Sequence, residues 1–252
     1  MARIPIAVQL YSVRKEAEQD LAGVLAEIAR MGYEGVEFAG YYGHDAATIK
    51  KLLDDNGLKC AGTHIGLKTL LDEELPATVE FNQTIGNKYL IVPGLAEEYR
   101  NSTEAVRDTA TRFNEIAAKV RPHGMQVGYH NHAFEFKPFT EGGELPWDTF
   151  FGNMEKDVIM QFDIGNALHA GADALPFLQQ YPGRATTVHL KEFSATNDKA
   201  LVGEGDVPWQ AIFAEVEKQG ATDWYIVEQE SYAFPPMECI EKCLQNLKEM
   251  GK

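Results

Sequence analysis

Cysteine is scarce: Cys60, Cys239 and Cys243 are the only three in 252 residues. Three thiols cannot build a disulfide framework, and an odd count suits a reducing compartment. Cys239 and Cys243 lie four apart in a helical pattern with no second Cys/His pair nearby, so they read as helix packing residues. Positive charge is the second shortage, with 23 Lys and Arg against 38 Asp and Glu and a formal net charge of −15. Nucleic-acid binding leans on Lys and Arg at phosphates, which disfavours a polyanion partner. Long apolar runs are missing too, which excludes a membrane-spanning helix. The opening "MARIPIAVQLYSV" has one Arg and a short apolar run broken by Pro5, a first strand rather than a signal peptide. The cytoplasm is the default expectation, although an export signal already removed would leave no trace. Linkers and low-complexity segments are absent as well, and residues 1–252 read as a single domain.

What the chain has is a repeated alternation of short apolar strands and amphipathic helices. "IPIAVQLYS" is followed by "DLAGVLAEIARMG", where Asp20 caps the start and Gly32 sits at the stop. Leu21, Val24, Leu25 and Ile28 recur there at helical spacing. "YEGVEFAG" precedes a helix from Asp45 to its stop at Gly57, and "LKCAGTHIG" precedes "DEELPATVEFNQTIG". "KYLIVPG" leads to a long helix over 102–123, and "MQVGYHNH" makes a fifth strand. "VIMQFDIG", "ATTVHLKEF" and "WYIVEQE" complete eight strands, with helices between them and a last helix over 236–251. Eight such units predict parallel pairing by right-handed crossovers and closure into a single (β/α)8 barrel, a TIM barrel. The competing open sheet usually carries a Gly-rich turn after its first strand, and "VQLYSVRKEAE" has none.

Barrel chemistry comes from the C-terminal ends of the strands. Those ends carry Gln9 and Tyr11, Glu37, His64, His130 and His132, Asp163 and Asn166, His189 and Lys191, and Glu228 and Glu230. Each has a plain structural reading: Asp163 as a helix cap, Glu37 or Lys191 as half of an ion pair, a lone His as a satisfied core residue. Together, two carboxylates and two imidazoles at the ends of strands five to eight make a consistent metal set. Such donors suit Mn, Co, Zn, Fe or Mg.

The segments "GYEGVEF", "GTHIG", "YHNHAFEF", "FDIGNALHAG", "VHLKEF", "VGEGDVPW" and "WYIVEQE" run in the order seen in the xylose-isomerase-like barrel superfamily. The chain resembles most the group labelled sugar phosphate isomerase/epimerase, which includes inosose dehydratases and keto-sugar-processing enzymes. The resemblance implies one divalent metal ion held by a side chain from each of strands five to eight. Asp163, His189 and Glu228 match the last three positions. The strand-five position, usually Glu, falls on His130, with His132 and Glu135 as the other candidates. It also implies a keto-sugar or polyol substrate and proton abstraction next to its carbonyl. His132, Glu228 and Lys191 would act on the proton and the enediolate, while Gln9, Glu37, His64, Asn166 and Lys191 would bind hydroxyls. Reprotonation gives isomerisation or epimerisation. Loss of a β-substituent makes the protein a lyase, a dehydratase or a keto-glycoside-cleaving enzyme.

Two other classes stand beside that reading. An abasic-site endonuclease shares the barrel, but it resembles a three-zinc design whose full His/Glu set this acidic chain lacks. A non-catalytic sugar-binding barrel would keep the cleft without turnover. No Gly-rich phosphate cradle follows strands seven or eight, so a phosphorylated substrate is not expected. "VGEGDVPW" reads as a loop over the site with Trp209 anchoring the next helix. Tyr41, Tyr42, Phe134 and Phe136 read as a sugar-facing wall or as packing. Barrel enzymes often associate, and a homo-oligomer stays open.

Overall fold

The computed structural model describes residues 3–252, so the first two positions of the expected 1–252 domain lie outside the described residues. Eight parallel strands close into a barrel in chain order. They are β1 (Ile6–Gln9), β2 (Gly35–Ala39), β3 (Lys59–His64), β4 (Tyr89–Val92), β5 (Gln126–His130), β6 (Ile159–Asp163), β7 (Thr187–Leu190) and β8 (Trp224–Val227). The helices between them are α1 (Arg14–Met31), α2 (Ala46–Asn56), α3 (Leu75–Thr84), α4 (Thr103–Val120), α5 (Pro146–Asn153), α6 (Ile164–His169), α7 (Ala174–Gln180) and α8 (Trp209–Gln219), with α9 (Pro236–Glu249) last. The expected (β/α)8 barrel is the fold. None of these helices is long and apolar enough to cross a membrane.

The helix signals act as their chemistry requires. Asp45 Oδ1 accepts from Thr48 N at 2.7 Å, and Gly57 ends α2 at φ +65°. Helical structure begins at Arg14, earlier than expected. Asp20 nevertheless leaves helical geometry (φ −154°, ψ 79°), and its Oδ1 accepts from Gly23 N at 2.9 Å. The chain therefore restarts a helix at Asp20, where the cap was expected. Leu21, Val24, Leu25 and Ile28 are all buried against the barrel, each such side chain contributing roughly 1.5–3 kcal/mol. Cys239 and Cys243 are free and buried in α9, as packing residues should be.

The interior of the barrel is layered by the two-residue period of its strands. A lower layer is apolar and contains Ala7, Ile91, Ile159, Trp224 and Ile226. Two residues further along these strands the inward positions turn polar: Gln9 on β1, Gln161 on β6 and Glu228 just past β8. That switch positions the site.

Candidate metal centre and active site

The parallel strands bring four donors together at one end of the barrel. Asp163 pairs with His189 across β6 and β7, and His130 lies beside Gln161 across β5 and β6. One ligating atom each from His130, Asp163, His189 and Glu228 lies within 4.8 Å of the others, and all four residues are buried. His189 Nδ1 is 2.6 Å from Glu228 Oε2 and 3.8 Å from Asp163 Oδ2. His130 Nε2 is 4.0 Å from Asp163 Oδ2. Asp163 is indeed a helix cap, since its Oδ1 accepts from Asn166 N at 2.6 Å. Its other oxygen, Oδ2, is buried with no hydrogen-bond partner among the described residues. A carboxylate oxygen stranded in that way is costly unless something positive meets it. Burial pushes the Asp163 carboxyl up to about 7, with Glu228 adding to the rise and Lys191 opposing it. Two imidazoles, two carboxylates and an orphaned oxygen between them fit a divalent cation of the Mn, Co, Fe or Zn type.

A second polar layer lies directly beneath. Gln9 and Glu37 were expected at the substrate, but both are fully buried inside the barrel. Glu37 Oε2 accepts from His189 Nε2 at 2.6 Å and Gln9 Nε2 at 2.7 Å, and its Oε1 accepts from Gln161 Nε2 at 2.7 Å. His64 Nε2 adds a fourth neighbour, 3.2 Å from Oε2. Its oxygens are committed to the protein, so Glu37 supports the layer above instead of meeting a sugar. Burial raises the carboxyl of Glu37, but His64 and His189 outweigh it and hold it well below the usual carboxylate range. The same layer needs Gly62, because a Cβ there would come within 2.5 Å of Glu37 Oε1. His189 sits between two carboxylates; burial opposes its charge, yet Glu37 and Glu228 raise it to about 10.

Gln161 and Thr187 complete this layer and escaped the sequence reading. Gln161 Nε2 also donates to Thr187 Oγ1 at 2.9 Å, and its Oε1 lies 2.7 Å from His64 Nε2 and 3.1 Å from His130 Nδ1. The available signal was the two-residue period: Gln161 stands two before Asp163, and Thr187 two before His189.

At the mouth, β5 stops earlier than expected. Asn131 leaves the strand and uses its side chain as a ladder, donating to Asp163 O at 3.1 Å and accepting from Asp163 N at 2.8 Å. His132 therefore lies beyond the strand, solvent-exposed, with its ring edge-on to His130 at 5.1 Å. Desolvation in the mouth lowers its pKa despite Glu228. Of the three residues open for strand five, His130 is the one that joins the cluster. Glu135 is turned away and buried, accepting from Tyr129 OH at 2.5 Å and His132 N at 2.9 Å. Lys191 pairs with Glu230. Asn166 donates from Nδ2 to Asn131 O at 3.0 Å, and with Lys191 it lines a cavity of about 320 Å³ beside the cluster. Glu192 gathers the loop over that cavity, accepting from Gly203 N at 2.6 Å, Val207 N at 3.2 Å and Trp209 Nε1 at 2.8 Å. Trp209 thus anchors loop and helix together. Tyr41 stacks on Phe81 at 4.0 Å and Phe136 on Trp147 at 5.3 Å, which makes both packing residues. Tyr11 stays exposed under Arg14.

Burial pushes the Glu135 carboxyl up to about 7. An acid that holds its proton longer when folded favours folding at low pH and loses that advantage as pH rises from about 4.5 to about 7. This costs on the order of 3 kcal/mol across the window. Urea unfolding at pH 5 and pH 7.5 should therefore show a steeper fall for wild type than for Glu135→Gln. Parallel pH profiles would sink the assignment.

Fold and site together define an eight-stranded α/β barrel with a four-donor candidate centre at the C-terminal strand ends. The chain belongs to the Xylose isomerase-like TIM barrel family, whose sequence model matches residues 25–250. Among curated relatives, the inosose dehydratase of Clostridium perfringens (strain ATCC 13124) is 24% identical over 264 positions, spanning 89% of this chain and 88% of that one. The inosose dehydratase of Geobacillus kaustophilus is 25% identical, spanning 89% and 87%. Among solved structures, a sugar phosphate isomerase/epimerase from Parabacteroides distasonis superposes with a TM-score of 0.82 at 24% identity, covering 98% of this chain and 94% of that one. The IOLI protein, solved with a zinc atom bound, superposes with a TM-score of 0.74 at 14% identity, covering 98% and 97%. At these identities the solved structures speak for the fold.

Proposed function

We propose that this chain is a divalent-metal-dependent enzyme of the sugar isomerase/epimerase type, removing a proton next to the carbonyl of a keto-sugar or polyol. One observation carries the reading: four consecutive strands send His130, Asp163, His189 and Glu228 to one point, where Asp163 Oδ2 has no partner among the described residues. A cation held by those four would supply positive charge opposite the oxygen of a forming enediolate. His132, kept neutral at the mouth, takes the proton. Lys191, held charged because Glu228, Asp163 and Glu230 outweigh the burial that opposes its charge, donates a hydrogen bond to the developing oxyanion. The His132 imidazolium returns the proton, Glu228 stays ionised because Lys191 and His189 outweigh its burial, and Asn166 binds hydroxyls at the rim. Among the described residues, Lys191 is the one Lys or Arg lining the neighbouring cavity, and it already pairs with Glu230. That balance favours an uncharged sugar over a phosphate ester.

Elimination is the second reading, and two observations favour it. A histidine at the strand-five position removes the symmetric pair of carboxylates, and the curated relatives reported above are inosose dehydratases. The same enediolate then expels a β-hydroxyl as water, with Lys191 giving the proton. Proton NMR in D2O separates the fates on manganese-loaded protein with a panel of keto-sugars and inososes. The α-proton should exchange with wild type, and His132→Ala should keep its metal while exchange slows about 10²–10⁴-fold. Deuterium retained in a hydroxy-ketone marks isomerisation, and a dehydrated product marks the lyase. A metal-loaded protein that exchanges no proton across the panel leaves a sugar-binding barrel.

A further inference from the structure

An imidazole coordinates through whichever nitrogen lacks the proton, and the hydrogen bond at the other nitrogen decides which that is. At His130 that partner is Gln161 Oε1, 3.1 Å from Nδ1. The partners of its other end fix the orientation of this amide. Gln161 Nε2 lies 2.7 Å from Glu37 Oε1. Glu37 is ionised and only accepts, so the NH2 end of Gln161 must face it. Thr187 Oγ1, at 2.9 Å, takes the second N–H. The carbonyl oxygen is left facing the two imidazoles, and because it can only accept, each nitrogen bonded to it carries a proton. His64 therefore carries its proton on Nε2, 2.7 Å away, and His130 carries its proton on Nδ1. The lone pair of a neutral His130 then sits on Nε2, the nitrogen that lies 4.0 Å from the orphaned Asp163 oxygen.

We infer that Gln161 is a positioning residue, which locks His130 in the Nδ1–H tautomer and presents Nε2 to the cluster as a lone-pair donor. The charge of Glu37 orients Gln161, and Gln161 passes that polarity to His130 and His64 at once. Glu37 likewise takes Nε2–H of His189, so Nδ1, 2.6 Å from Glu228 Oε2, is the nitrogen that faces the cluster. The buried layer thus sets which nitrogen each cluster histidine turns towards the cluster. The tautomer follows from hydrogen bonding alone, while its consequence for metal affinity rests on the reading of His130 as a ligand.

Long-range proton–nitrogen correlation spectra of ¹⁵N-labelled, metal-free protein read the tautomers directly. Wild type should show Nδ1–H at His130 and Nε2–H at His64. Gln161→Met keeps the volume and removes the amide, so His130 should lose its pure Nδ1–H signature. Cobalt(II) affinity by chelator competition should then fall about 10–100-fold. Thr187→Val disturbs the same layer but leaves the Gln161 carbonyl in place, and should keep the tautomer and stay within about twofold in affinity. Nε2–H at His130 in wild type overturns the inference, and so does Gln161→Met with an unchanged tautomer. Equal losses in Gln161→Met and Thr187→Val overturn it too, because packing alone would then explain both. If Gln161→Met does not fold, the wild-type and Thr187→Val spectra still decide. Wild type that binds no cobalt brings down the metal reading of the site, while the spectra still judge Gln161.

Discussion

Asp163→Asn should abolish tight binding of the divalent cation while making the metal-free chain more stable. The residue does two separable jobs. Its Oδ1 caps α6 by accepting from Asn166 N at 2.6 Å, and an asparagine oxygen can accept there equally well. Its Oδ2 is buried without a hydrogen-bond partner among the described residues, where burial and Glu228 outweigh the opposing Lys191 and His189. Replacing that oxygen by a neutral NH2 removes a stranded negative charge and gives the lone pair on His130 Nε2 a donor to meet. The gain in the metal-free state should be about 1–3 kcal/mol, the usual cost of a buried unsatisfied polar group. Cation binding loses one of its two anionic ligands, and titration calorimetry with manganese should show affinity down at least about 100-fold. Stability gained where function is lost is the signature of a site held ready for a ligand. Urea unfolding in the presence of a chelator gives the other half of the test. If Asp163→Asn destabilises the metal-free protein and leaves manganese affinity intact, Asp163 is only a cap and the cluster is not a metal centre.

The barrel was legible in the sequence because its two signals are local. Asp45 and Gly57 bound α2 through hydrogen bonds and a positive φ that need no knowledge of the rest of the fold. The upper donors were legible for a related reason, since His130, Asp163, His189 and Glu228 each stand where an apolar strand gives way to polar chain. The layer below them was harder to see. Gln161 sits between Met160 and Phe162, and its meaning depends on a two-residue period and on which face of β6 points inward. Closure of the barrel, a long-range event, settles that face. Glu37 was misplaced because β2 continues past it: Phe38 and Ala39 still pair with Thr63 and His64 on β3. Sequence marks the neighbourhood of a strand end but not its final rung. The opposite error befell His132, where the Asn131 side chain replaces the backbone ladder and ends β5 early.

Glu37→Leu tests that misplacement with the largest expected loss of stability. Leucine would leave Gln9 Nε2, Gln161 Nε2 and His189 Nε2 without their acceptor in a layer closed to solvent. His189, raised to about 10 by Glu37 and Glu228 together, would keep only one of its two carboxylates. Removing one member of a buried charge network typically costs about 3–5 kcal/mol, a large part of a total stability near 5–15 kcal/mol. For a chain of this size the melting temperature should fall roughly 6–20 °C. Glu37→Gln retains the shape and one acceptor, so its loss should be smaller, with the difference measuring what the charge contributes. A residue that merely lined the sugar would behave the other way round, with an unchanged melting temperature and a raised KM. Calorimetry on Glu37→Leu and Glu37→Gln therefore separates the two placements without knowledge of the substrate. A melting temperature within about 2 °C of wild type for Glu37→Leu would return Glu37 to the mouth.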